Sequence, residues 1–150
     1  MPQDLIVYLD IDGTILYESD GDDHEVVSLD GQRVGDGIGE LLHFVCEHCD
    51  PYWLSYRARL GRRDILETRI FPHLPSIAEQ VGIAYWDNFK HEGIALDRQF
   101  LWFDDYLEEE DAQWLVDNGL RDHLVMVDSK GRDNPKQILA LLKQQLGMLA

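Results

Sequence analysis

Short apolar runs recur along the chain, and each ends abruptly at a polar residue. Residues 5–9 (Leu-Ile-Val-Tyr-Leu) form an unbroken run that stops at Asp10, which is typical of a strand buried on both faces of a parallel sheet. Comparable runs predict four further strands, at 52–54, 83–86, 100–103 and 124–127.

Between these runs, apolar residues recur every three or four positions, which is the spacing of amphipathic helices. Near the carboxyl end, Asn134 is expected to cap a helix that runs to Leu146, with Pro135 at its first position. Gly119 is expected to close the helix before it. The remaining predicted helices cover 38–49, 62–70, 77–81 and 108–118.

The segment 15–35 differs from the rest because it is polar and rich in Asp-Gly pairs. Its apolar residues, Ile15 with Leu16 and then Val26, Val27 and Leu29, indicate a hairpin that projects from the body. The hairpin and the intervals between strands leave no room for a second, inserted domain.

Strands that alternate with helices form right-handed βαβ units. We therefore predict one α/β domain over residues 1–150. Its core is a doubly wound, Rossmann-like, mostly parallel sheet of five strands, with helices on both faces and the small hairpin after the first strand. In such sheets ligands bind beyond the carboxyl ends of the strands, where the strand order reverses.

Charge narrows the range of partners. The 150 residues include 13 Lys and Arg against 29 Asp and Glu, a net charge of −16. This negative charge argues against binding to anionic membranes, and it disfavours binding to nucleic acid without excluding it. It favours the binding of divalent cations where carboxylates lie close together. There are 2 cysteines, no apolar run of membrane-spanning length and no basic leader, so a cytoplasmic location is expected.

The sharpest motif is Asp10-Ile11-Asp12-Gly13-Thr14, directly after the first strand. Carboxylates two positions apart in an extended segment point to the same side, so one can act as a nucleophile while the other moves a proton. Gly13 permits a sharp turn. A calcium loop does not fit, because Ile15 and Gly21 stand where it needs Gly and Glu. A strand followed by an ordinary polar turn remains the alternative.

Three more pieces follow in order: Ser55 after the second apolar strand, the lone Lys90 after a long helical segment, and Asp104-Asp105 after the strand at 100–103. With the aspartate motif, they resemble the haloacid dehalogenase-like superfamily of aspartate-nucleophile phosphohydrolases. The resemblance covers most of the chain, from Leu5 to the final helix, and the short intervals between the motifs imply a member without the inserted cap domain of that superfamily. The two aspartate motifs are specific to this superfamily, whereas Ser55 and Lys90 support the resemblance only through their order and spacing.

The resemblance implies roles for the catalytic pair and a metal. Asp10 is expected to attack phosphorus and form an aspartyl-phosphate. Asp12 is expected to protonate the leaving group and then activate water. Mg²⁺ is expected between Asp10, the backbone carbonyl of Asp12 and Asp104; Asp105 is either a further ligand or a residue beside the metal or at a helix start.

Transfer of a phosphoryl group requires positive charge beside its oxygens. A site with four aspartates repels this group unless cations offset the aspartate charges. By resemblance, Ser55 and Lys90 would hold this group. Arg57 competes with Lys90 as the main cation, and Thr14 is a further candidate for phosphate contact.

The function expected from these residues is Mg²⁺-dependent hydrolysis of a phosphomonoester, on a small or a macromolecular substrate. Two alternatives stay open: a phosphatase acting on nucleic-acid ends, and a non-catalytic member that keeps the fold as a binding or regulatory module. Homo-oligomerisation is also left open.

A cluster of arginines follows Ser55. It forms either a positive rim that attracts an anionic substrate or a helix surface whose arginines pair with nearby acids. The cluster comprises Arg57, Arg59, Arg62, Arg63 and Arg69.

Overall fold

A computed structural model describes residues 4–18 and 32–148. The fold is of the α/β type, and all neighbouring strands of its central sheet run parallel. The five strands are β1 (Ile6–Leu9), β4 (Asp50–Trp53), β5 (Gly82–Ile83), β6 (Phe100–Asp104) and β7 (Leu124–Met126), in the spatial order β5-β4-β1-β6-β7. The predicted five-stranded parallel sheet is therefore confirmed, with β1 at its centre.

A separate pair of strands follows β1. β2 (Leu16–Glu18) and β3 (Gln32–Val34) are antiparallel, and Leu16 lies opposite Val34. These strands confirm the base of the predicted hairpin. Its central part, with Val26, Val27 and Leu29, lies outside the described residues.

Three α-helices accompany the strands: α1 (Ile38–His48), α2 (Glu109–Asp117) and α3 (Asn134–Gln145). Gly119 follows α2 with a φ of 68°, as its predicted role in ending this helix requires. The prediction for Asn134 was wrong, because α3 begins at this residue and Asp133 occupies the cap position. The Asn134 amide instead donates to the carbonyl of Asp128 at 2.7 Å. Within the described ranges, no helix combines the length and apolar character needed to cross a membrane.

The stretch between β4 and β5 is helical at both predicted places, but its segments are short and are not regular α-helices. It consists of short 3₁₀ turns and one π turn, Leu66–Ile70. Pro75 separates the two segments, because it disfavours helical geometry in the preceding Leu74, which is extended. Leu66 and Ile70 are nevertheless buried, as their spacing predicted.

The core is divided between two apolar clusters. Val7 and Leu9 of β1 enter the cluster that contains Leu41 and Leu42 of α1 and Leu142 of α3. The alternate residues of β1 enter the second cluster with residues of α2, because successive side chains of a strand point to opposite faces. Burial on both faces explains why β1 and β6 read as continuous apolar runs.

Leu142→Ala tests this assignment of the core. Leu142 is fully buried, so truncation should lower the free energy of unfolding by about 2–5 kcal/mol through lost burial and a residual cavity. Urea denaturation followed by circular dichroism measures the change. Val116→Ala is the control, because Val116 is 60% exposed on α2. Equal effects of the two substitutions would contradict the assignment.

Candidate active site

Three neighbouring strands bring their carboxyl ends together at one edge of the sheet. Asp10 follows β1, Ser55 follows β4, and Asp104 is the last residue of β6. The register aligns Leu9 with both Trp53 and Phe103, so these strands end at the same level. The edge combines aspartates with a hydroxyl group, as the sequence predicted.

Asp10, Asp104 and Asp105 form a tight carboxylate cluster. One oxygen from each lies within 4.8 Å of the other two. Asp10 and Asp104 are buried, and Asp105 is half-buried. Oxygen ligands at such spacing suit a hard divalent cation. These three side chains can therefore hold a metal ion.

Lys90 supplies positive charge to this cluster. Its ammonium donates to Asp10 Oδ1 at 3.1 Å and to Asp104 Oδ2 at 2.7 Å. Burial on its own lowers the pKa of Lys90, but the attraction of Asp10 and then Asp104 outweighs it, so the pKa is raised. Lys90 therefore stays charged in the buried site.

Asp104 has two further donors, so its orientation is fixed. The Trp102 indole donates to Asp104 Oδ2 at 3.1 Å, and the Tyr106 backbone N–H donates to Oδ1 at 3.2 Å. Both oxygens are thus held by groups from β6 or the loop that follows it. This arrangement orients Asp104 toward Lys90, which also binds Asp10.

Burial and neighbouring negative charge both raise the free-energy cost of ionising the carboxylates of the cluster. Burial raises the pKa of Asp10 well above its usual range; Lys90 opposes this shift, and Asp104 and Asp105 add to it. Burial also raises the pKa of Asp105, where the hydrogen bond with Asp10 opposes the shift and the charge of Asp104 adds to it. Repulsion among these carboxylates favours an added cation.

Asp12 belongs to a different set of contacts. Its carboxylate receives two hydrogen bonds of 2.7 Å from the Arg57 guanidinium and one of 2.7 Å from the Gln32 amide. Gln32 lies in β3 of the hairpin and also accepts from the Gly13 backbone N–H at 3.0 Å. The carboxylate of Asp12 is not in the three-residue cluster. Its expected metal contact, through the backbone carbonyl, stays a prediction.

Gly13 is needed for two reasons. Its φ of 79° lies in the left-handed region, which confirms the predicted sharp turn. In addition, a Cβ at this position would lie 2.0 Å from Asp105 Oδ2. The second constraint is a tertiary contact, which local sequence does not reveal.

The two hydroxyl residues lie beside the carboxylates. Thr14 is buried and donates to Asp10 Oδ2 at 3.3 Å. Ser55 is buried, and its Oγ accepts from the Arg57 backbone N–H at 3.1 Å. The structure places both at the site, and their contact with a substrate phosphate stays a prediction.

A buried carboxylate that sequence reasoning missed anchors the turn carrying Lys90. Asp111 of α2 accepts from the His91 backbone N–H at 3.0 Å and bonds to the His91 ring at 2.7 Å. The His91 ring also stacks between Phe89 and Trp114. In the sequence, Asp111 resembled the other acids of an exposed run, so nothing indicated its role.

The arginines after Ser55 pair mostly with nearby acids. Arg59 pairs with Asp87, Arg62 with Asp64, and Arg63 with Glu67. These contacts favour a helix-and-turn surface with local ion pairs, which was one of the two interpretations. Steering of an anionic substrate by this surface stays a prediction.

The chain matches no model of a known protein family and no curated protein sequence.

Asp111→Ala tests the anchoring of Lys90. Loss of the acceptor leaves the half-buried His91 groups unsatisfied, so the free energy of unfolding should fall by about 1–3 kcal/mol. Lys90 should also react faster with an amine-modifying reagent, measured by mass spectrometry of the labelled peptide. Glu110→Ala, an exposed acid on the same helix, is the control. Unchanged labelling of Lys90 would refute the anchoring role.

Asp105→Asn tests the repulsion. The pKa values of Asp10 and Asp105 are higher in the folded than in the unfolded protein. Their contribution to folding stability is therefore fully present below the ordinary aspartate pKa, and it is lost as pH rises through the raised pKa values. In chelator, the melting temperature of the wild type should thus fall as pH rises toward 7, and Asp105→Asn should reduce that fall. Asp122→Asn removes an equal charge at an exposed position. If both variants behave alike, site repulsion is not the cause.

Proposed function

We propose that the protein is a Mg²⁺-dependent phosphatase that hydrolyses phosphomonoesters through an aspartyl-phosphate on Asp10. The observation that carries this proposal is the convergence of Lys90, Asp104 and Asp105 on the buried Asp10 carboxylate. A nucleophile for phosphorus requires a fixed carboxylate with positive charge beside it, because the transferred group is anionic.

The donor set supports a divalent metal. Asp10, Asp104 and Asp105 would hold Mg²⁺ through carboxylate oxygens, with the Asp12 backbone carbonyl as the further contact implied by the family resemblance. When bound, the ion offsets charge on the carboxylates and on the phosphoryl oxygens. The raised pKa values of Asp10 and Asp105 support this requirement for an added cation.

The chain's own residues would divide the reaction between them. An Asp10 oxygen forms a bond to phosphorus while the ester oxygen leaves, and Asp12 donates a proton to that oxygen. Asp12 then accepts a proton from the water that cleaves the Asp10–phosphorus bond, releasing phosphate. Lys90 and Ser55 hold the phosphoryl oxygens during both steps.

Arg57 has a distinct part in this scheme. The structure separates the two candidate cations, because Lys90 lies between Asp10 and Asp104 whereas Arg57 binds Asp12. We therefore assign the main phosphate-holding role to Lys90. Arg57 orients Asp12 together with the hairpin residue Gln32, since both donate to Asp12 Oδ1.

The fold supports the same proposal. We infer a doubly wound, Rossmann-like arrangement without a cap domain, supported by the strand order and by apolar clusters that take alternate residues of β1. The order places β1 between β4 and β6, which is where connections diverge and ligands bind in such sheets. The low cysteine content, 2 in 150 residues, supports a reducing, cytoplasmic setting.

Asp10→Asn tests the nucleophile. Hydrolysis of p-nitrophenyl phosphate in Mg²⁺ should fall about a thousandfold or more, because a neutral amide does not attack phosphorus. Asp12→Asn should be strongly impaired but accumulate phosphoenzyme, detected by acid-quenched mass spectrometry. EDTA should abolish wild-type turnover and Mg²⁺ restore it. Asp122→Asn is the control for lost charge.

Activity of Asp10→Asn above a tenth of wild type would overturn the assignment, provided that its circular dichroism shows a folded protein. Full wild-type activity in EDTA would overturn the metal requirement. Absence of turnover by the wild type on a panel of phosphate esters would favour the non-catalytic alternative.

A further inference from the structure

An aromatic side chain lies beside the phosphate site and is open to solvent. Tyr56 directly follows the buried Ser55, and 52% of its surface is exposed. Single exposed aromatic residues are common on proteins and need no special explanation. Tyr56 is different because of how firmly it is held and what it touches.

Three contacts fix the Tyr56 ring. Its hydroxyl donates to Glu108 Oε1 at 2.8 Å, and the ring meets Trp86 edge-on with 5.0 Å between centroids. The Lys90 ammonium lies over the ring, 5.0 Å from its centroid. Burial, and then the bond to Glu108, raise the pKa of Tyr56 to about 12, so the ring stays neutral. An aromatic surface fixed in this way loses little conformational entropy when it binds a ligand.

The position of Lys90 sets the distance between phosphate and any stacked ring. Its ammonium touches Asp10 on one side and the Tyr56 ring on another. A ligand ring on the solvent-open part of Tyr56 adds about 5 Å between ring centres. A ring joined to its phosphate through a sugar reaches farther from the phosphate than a ring bonded directly to the ester oxygen, so the sugar-linked ring suits this arrangement better.

We propose that Tyr56 is a stacking platform for the base of a nucleoside monophosphate, whose phosphate lies at Lys90 and Asp10. This inference rests on the proposed phosphatase function and names its substrate class. A single nucleotide suits the chain better than a polynucleotide, because a net charge of −16 repels an extended phosphate backbone.

Kinetics on matched substrates test the proposal. Adenosine 5′-monophosphate and ribose 5-phosphate carry the same ester and differ only in the base. Wild type should prefer the nucleotide in kcat/KM, and Tyr56→Ala should lower kcat/KM for it about tenfold more than for the sugar phosphate. Tyr56→Phe keeps the ring and should retain most of the preference.

Two controls separate stacking from general damage. Tyr85→Ala removes a tyrosine that is 63% exposed and does not follow a site residue, and it should leave the preference unchanged. p-Nitrophenyl phosphate has its ring directly on the ester, so Tyr56→Ala should affect it less than the nucleotide. Equal losses on all three substrates would mean that Tyr56 only supports Lys90, and the platform would be refuted.

Binding keeps this inference distinct from the proposed activity. Calorimetry with Asp10→Asn measures adenosine 5′-monophosphate without turnover, and adding Tyr56→Ala should weaken binding about tenfold. If no phosphate ester is hydrolysed yet Tyr56 governs this binding, the activity fails and the subsite stands. Tighter binding of a 5′-phosphorylated oligonucleotide would overturn the choice of a single nucleotide.

Discussion

The burial of Asp10, Asp104 and Asp105 close to one another, with the repulsion that adds to it, is the constraint on which the site depends. Ionising carboxylates that are buried or half-buried this close together costs free energy unless cations lie beside them. Lys90 meets part of this requirement, and its turn is bound to α2 through the buried Asp111. Helix α2, which lies outside the sheet, thus contributes to the charge balance of the site.

The site contains two ion-pair networks that share a strand end but not their partners. Lys90 joins Asp10 to Asp104, whereas Arg57 binds Asp12 together with Gln32. This division assigns each of the first two aspartates its own cation. It also explains how two carboxylates only two positions apart acquire different environments and can perform different tasks.

Sequence reasoning succeeded where the signal was local. Asp10, Ser55 and Asp104 were predictable because apolar strands end abruptly beside them. Gln32 and Asp111 were not, because each polar residue acquires its role through partners 20 residues away in the chain. Between β4 and β5, helical spacing correctly indicated buried residues, and the predicted helices are present as short π and 3₁₀ turns.

The close approach of Gly13 to Asp105 links two positions that are far apart in sequence. A side chain at 13 would occupy the space of the Asp105 carboxylate. Two aspartate motifs that look independent along the chain therefore form one steric unit. In an alignment of relatives, loss of the glycine should coincide with a smaller residue at 105, so covariation between these columns would record a contact across the sheet edge.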